Sequence, residues 1–234
     1  MSEINQENRD KKYNEWARRN PAIISIVFPL LVAVYFFQEY YDELSDVRYI
    51  VGAILSFGSI IPALFFFYQS SIREFSILFV ERPLFWVFGR PSSNLMKKKN
   101  NVFSAQRKER IINKAKAQGI ELICPDEDKL KSRSEKTRIM REAFEVIREV
   151  YRDNPIVFEF NCTYGFFRNL SGGLIVDLLI CLGLCIINCV NKLNMGHAIG
   201  TSAIILGSLL VFCLICTYFS RARYVKRVYV LFDN

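Results

Sequence analysis

Asp177 is the residue whose type and setting most constrain what this chain can do. It is the only charge in the apolar run Leu174 to Val190, 17 residues long. Carboxylates are rare in such runs and usually face a bundle interior or a water-filled cavity. Asp177, Cys181, Leu184, Asn188 and Asn191 follow at i, i+4, i+7, i+11 and i+14. On a helix, that spacing gathers most of the run's polar atoms on one face. Such a stripe suits the lining of a hydrophilic path, and a ring of acids favours cations. The alternative is an acid at the water interface near a helix start, where the macrodipole favours negative charge.

Cations offer a second chemistry. Arg107, Lys108, Arg110, Lys114 and Lys116 form one cluster, and Lys129, Lys131 and Arg133 another. Guanidinium groups take phosphates in a bidentate fork and ammonium groups as point charges. Both clusters are therefore candidate sites for an anionic nucleotide or oligonucleotide, against the alternative of a solvated or lipid-facing charged surface. Gly172-Gly173 directly precedes the run bearing Asp177. The pair reads as a hinge, or as a plain loop before a helix.

Other chemistries find little support. The one histidine, His197, has no Cys or His neighbour at ligand spacing, so no metal site is expected. No phosphate loop, nucleophile elbow or paired-histidine helix is present, so neither a cofactor nor an enzymatic activity is expected. The cysteines of the apolar runs read as small packing residues.

These residues need elements to position them. Four windows read as transmembrane helices: Ala22–Gln38, Tyr49–Tyr68, Leu174–Val190 and Ala198–Phe219. Each has the roughly 17–25 apolar residues that a crossing takes. The first is not read as a cleaved signal, because a polar stretch precedes it and no cleavage site is evident. Residues 69–173 carry 20 basic against 13 acidic side chains, and the loop 39–48 carries four acids against Arg48. Basic segments stay cytoplasmic. The expected topology is a multi-pass protein of the inner membrane with both termini inside. The net charge of +8 needs no nucleic-acid partner once this bias and anionic lipid are counted.

The expected divisions are a cytoplasmic N-terminal helix at 1–21, the first two spans within 22–68, a cytoplasmic α+β domain at 69–173, the last two spans within 174–219, and a cytoplasmic tail at 220–234. Within the domain, Phe85, Trp86 and Phe88 suit a membrane-surface position or packing on the domain. Residues 103–118 read as a helix stopped by Gly119, and residues from 129 or 134 to 152 as another, with the stripe Met140, Phe144, Ile147, Tyr151. Ile120–Cys124, Ile156–Asn161 and Tyr224–Leu231 read as strands of one small sheet. The small-residue stripe Gly200, Ala203, Gly207 and the pair Gly52, Ser56 suit close helix packing. The fold class is thus an α-helical membrane protein, four transmembrane helices with a small cytoplasmic α+β domain.

The segment Tyr164-Gly165-Phe166-Phe167-Arg168-Asn169-Leu170 and this arrangement of spans resemble the four-span effectors of bacterial anti-phage operons, of CBASS-like and Hailong-like type. The resemblance implies a homo-oligomeric pore or ion channel that depolarises or disrupts the inner membrane. It also implies control by a nucleotide-derived ligand and an operon-encoded nucleotidyltransferase as partner. Too little interior in one subunit to hold a conduit points to a homo-oligomer, with a tetramer expected. Against this stand a membrane-anchored binding or scaffold protein without a pore, and an intramembrane enzyme.

Overall fold

The computed structural model describes residues 2–41, 62–63, 65–126, 132–191 and 196–234. Lys129, Lys131, Gly52, Ser56 and most of the expected span Tyr49–Tyr68 lie outside them, as do the side chains of Arg133 and Asn191.

Every described element is helical. Helix α1 (Ser2–Tyr13) passes through a π-helical turn, Asn14–Arg19, into α2 (Asn20–Tyr41). Helix α3 (65–76) passes through a second π-helical turn, Ile77–Glu81, into α4 (Arg82–Phe88). Then come α5 (Pro91–Met96), α6 (Ala105–Ala117), α7 (Arg133–Val150), α8 (Pro155–Asn191) and α9 (Gly196–Asp233).

This corrects the expected fold class in two respects. Among the described residues there is no strand, so the α+β domain is in fact all-helical. Among them, too, two helices rather than four are long and apolar enough to cross a membrane, α8 and α9. The expected span Ala22–Gln38 falls within α2, whose side chains are described only as far as Val32.

The chain divides into two compact units. The first comprises Met1–Glu81 with Gly165–Ile215, and the second Arg82–Tyr164 with Cys216–Asn234. Both long helices contribute to each. At 37 and 38 residues they extend roughly 55 Å, well beyond about 30 Å of hydrocarbon.

The second unit is built on an apolar core from α5, α6, α7, the start of α8 and the end of α9. Met96, Ile111, Met140, Phe144, Ile147, Val157, Val225, Val228, Tyr229 and Phe232 are buried together. The Phe144 ring meets Tyr229 at 5.6 Å and Tyr224 at 6.2 Å, both edge-on. Local signals set the helix limits. The Ser104 hydroxyl accepts from the Arg107 N–H, capping α6. The Ser132 hydroxyl does the same for Glu135 N–H at α7. Gly119, at φ +71°, supplies the left-handed residue after α6. Asn154 both closes the α7 turn and caps α8, its Oδ1 accepting from Ile156 N–H at 3.1 Å, with Pro155 in the first helical position.

Two of the expected strands are helical for the same reason. Ile156–Asn161 follows that cap directly. Tyr224, Val225, Val228, Tyr229 and Phe232 are buried at i, i+1, i+4, i+5 and i+8, one helical face. They also continue a helix already formed, so no new nucleus is needed. Ile120–Cys124 forms no regular element, and the Leu122 N–H turns back to the Ile120 carbonyl at 3.0 Å.

Removing the central ring should be costly. Phe144→Ala is expected to destabilise the protein by about 3–5 kcal/mol, read as a lowered denaturation midpoint of the full chain in detergent. A loss under about 1 kcal/mol would mean that Phe144 does not anchor this core.

Candidate functional site: a buried polar seam

The first unit reverses the usual distribution of residues. Leu179, Leu182, Ile186, Ile187 and Val190 of α8, Ile204, Ile205, Val211 and Phe212 of α9, and Ile23, Ile24 and Val27 of α2 are exposed. Ser25, Ser76, Arg168, Asn169, Ser171 and Asp177 are buried. Large exposed apolar surface marks a membrane or partner contact. Polar groups within a bilayer turn to the bundle interior and pair there.

The interior pairs are specific. Asp177, 1% exposed, accepts a hydrogen bond from Tyr68 of α3, Oη to Oδ1, at 3.0 Å. One turn below the two glycines, Arg168 Nη1 meets Glu81 Oε2 at 3.3 Å, and its Nε and Nη2 lie 3.3 Å from Asn169 Oδ1. Asn169 Nδ2 donates in turn to the Ala17 carbonyl. Adjacent α8 residues thus reach both π-helical turns, Arg168 the second and Asn169 the first. π-Turns interrupt the regular ladder and recur at functional positions.

Gly172 and Gly173 make this approach feasible. They lie inside continuous α8, not in a joint before it. A Cβ on Gly172 would collide with the Ser76 hydroxyl, and one on Gly173 with the Ser25 hydroxyl and Ile72. Gly165 is similar, its Cβ position lying 2.8 Å from Ala17 and 3.0 Å from Tyr13 Oη. The structure gives these glycines a role in close helix contact. By contrast, Gly200 and Gly207 of the expected packing stripe meet nothing within 4 Å among the described residues.

The expected pore-lining stripe is only partly one feature. Asp177, Cys181 and Leu184 are buried, Asn188 is half-buried, and the side chain of Asn191 lies outside the described residues. Cys181 and Leu184 face an apolar cavity of about 190 Å³ shared with Phe28, Leu31, Val32, Ala198, Ile199 and Ser202. Only the first part of the stripe, Asp177 to Leu184, is thus buried within the first unit.

The basic cluster sits in the second unit, and much of it is engaged. Arg107 Nε lies 2.9 Å from Asp233 Oδ2, and Arg110 holds the same carboxylate with Nη2 at 3.0 Å and Nε at 3.2 Å. Lys108 is buried, its Nζ donating to the carbonyls of Lys97 (2.6 Å) and Asn100 (2.5 Å). Lys114 lies over the Phe232 ring at 5.6 Å, and Lys116 is exposed. Arg107, Arg110 and Lys114 thus converge on the C-terminal end of α9, fourteen residues beyond Phe219. The Arg110 hydrogen bond, with Arg107 and Lys114 nearby, holds the Asp233 carboxyl below its ordinary range. Among the described residues no three His, Cys, Asp or Glu side chains gather as a metal site.

Sequence reasoning missed Tyr68, Glu81, Ser25 and Ser76, and named Arg168 and Asn169 only within the segment that carries the resemblance. Partners 87 to 152 positions apart leave no trace in local periodicity. The one available signal was a charge in each of two greasy segments, Glu81 and Arg168.

Two outcomes follow. In an unpacked helix Gly→Ala stabilises by about 1 kcal/mol, but Gly173→Ala should here destabilise by about 1–3 kcal/mol through overpacking. Ser25→Gly in the same chain should recover part of that loss. Thermal unfolding in detergent reads both, and a stabilised Gly173→Ala would restore the hinge. For Asp233, a depressed folded-state pKa means its contribution is present above the unfolded carboxylate value. That contribution is lost as pH falls through the folded value. The stability gap between parent and Asp233→Asn should accordingly be full near neutrality and close in acid, and a gap independent of pH would contradict the ion pair.

The chain matches no family model, no curated protein and no solved structure, so its function must be read from this seam and the surfaces around it.

Proposed function

We propose that this chain is a membrane-inserted effector that lets ions cross the bilayer when the Tyr68–Asp177 pair opens. The observation that carries the reading is a carboxylate buried against one phenol in a helix whose opposite face is Leu179, Leu182, Ile186 and Val190. An ionisable group inside a membrane is costly and is kept for ion or proton movement. Helices α8 and α9 cross, and the basic residues before Leu174 and after Phe219 hold both flanks on the cytoplasmic side of the inner membrane. Assembly with further copies belongs to the reading, because side chains of the same chain fill the space around Asp177. The resemblance to anti-phage effectors adds control by a nucleotide-derived anion made by a partner nucleotidyltransferase. Such an anion would compete with Asp233 for Arg107 and Arg110.

The second reading is a membrane anchor without a pore. It is favoured by the same contacts, since Asp177, Arg168 and Asn169 each find a partner within one chain.

Ion flux in reconstituted vesicles separates the two. A lost buried hydrogen bond is worth about 1–3 kcal/mol, so Tyr68→Phe should raise basal leak roughly tenfold. Asp177→Asn should lower cation preference with oligomer size unchanged. If parent and both variants are folded, inserted and equally silent, the anchor reading replaces the pore.

A further inference from the structure

The second unit carries an apolar corner that its own core leaves uncovered. Helix α4 buries Leu84 and Phe85. Its last three residues turn outward, with Trp86 82%, Val87 62% and Phe88 61% exposed. The corner is nonetheless fixed. Gly89, at φ +76°, ends the helix, and Asn94 Nδ2 donates to the Phe88 carbonyl at 2.8 Å, satisfying an acceptor that the helix end leaves open. The same amide donates to Tyr218 Oη at 3.2 Å. The Phe88 and Tyr218 rings lie 5.7 Å apart, and Tyr218 and Phe219 6.1 Å.

Tyr218 and Phe219 close the apolar stretch of α9 that begins at Ala198; Ser220 and Arg221 follow at once. Phe219 is exposed, as are the cations Arg82, Lys99 and Arg223 of the same unit. Arg221 instead folds over the rings of Tyr164 and Tyr224. Aromatic rings at the end of an apolar helix stretch, followed directly by cations, match the chemistry of the membrane–water boundary. There, amphipathic rings settle at headgroup depth and cations meet anionic headgroups.

We propose that Trp86, Phe88, Tyr218 and Phe219 form an aromatic contact that seats the second unit in the headgroup layer of a phospholipid bilayer. The proposal rests on the membrane reading above and adds the residues that touch the interface and the depth at which the hydrocarbon ends. Lipid is the occupant because the corner continues directly from the apolar stretch of α9, and because the exposed cations Arg82 and Arg223 stand four residues from Trp86 and Phe219 in the sequence, a charge that complements an anionic leaflet.

The chain has two tryptophans, so Trp16→Phe leaves Trp86 as sole reporter. This variant would be reconstituted into vesicles of neutral and anionic phospholipid brominated at shallow or at deep acyl positions. Shallow bromines should quench Trp86 roughly twofold more than deep ones, as headgroup-level rings require, and acrylamide should quench it weakly. Should Trp16→Phe not fold, the difference between the parent and Trp86→Phe gives the same reading. Full acrylamide quenching with no bromine effect, in protein that floats with the vesicles, overturns the proposal and leaves the membrane reading standing. Protein that does not float with vesicles overturns both.

Discussion

Buried polarity inside an apolar exterior is the constraint on which the first unit depends. A guanidinium removed from water costs several kcal/mol unless it is paired and its remaining donors are met. Arg168 meets that demand with Glu81 on one side and Asn169 on the other. Asn169 then reaches Ala17, and Tyr68 holds Asp177 farther along α8. A helix surrounded by hydrocarbon gains little from burying leucine, since lipid is equally apolar. Hydrogen bonds and close backbone approach must give such a bundle its specificity. Gly165, Gly172 and Gly173 provide the approach, and Arg168, Asn169 and Asp177 provide the bonds. One face of α8, over about three turns, carries both.

The second unit obeys the ordinary rule. Its aromatic and aliphatic side chains are inside, and its charges are outside or paired, as with Asp233 between Arg107 and Arg110. The same two helices serve both regimes, since each contributes residues to both units. Helix α8 runs from the Asn154 cap into an apolar stretch, and α9 runs the other way in composition.

The sequence made some of this legible and hid the rest for physical reasons. Helices α6 and α7 could be read from the stop at Gly119 and the stripe Met140, Phe144, Ile147, because stop signals and periodicity are local. Tyr224–Leu231 misled because its valines and tyrosines favour strands, whereas its burial follows a helical period and inherits a helix already in progress. Asp177 stood out by composition alone, but its partner Tyr68, 109 positions away, could not. The double glycine showed the reverse problem. Its conformational freedom was visible in the sequence, while the Ser25 and Ser76 side chains that give it a packing purpose were not.

The two π-helical turns have a further meaning for how this chain tolerates change in length. Each holds one residue more than an α-helical path would need. A single deletion within Asn14–Arg19 or Ile77–Glu81 would let the helix close regularly. The helix on either side would keep nearly its present facing, because the wider turn takes up the residue that a regular helix would convert into a rotation of about 100°. What the deletion puts at risk is local: the Ala17 carbonyl that Asn169 uses and the Glu81 carboxylate that Arg168 uses lie within these turns. A residue added to the regular helix beside them would instead rotate one flank against the other. In a set of related chains, the two turns should therefore be the places where single deletions are borne with the flanking faces unchanged.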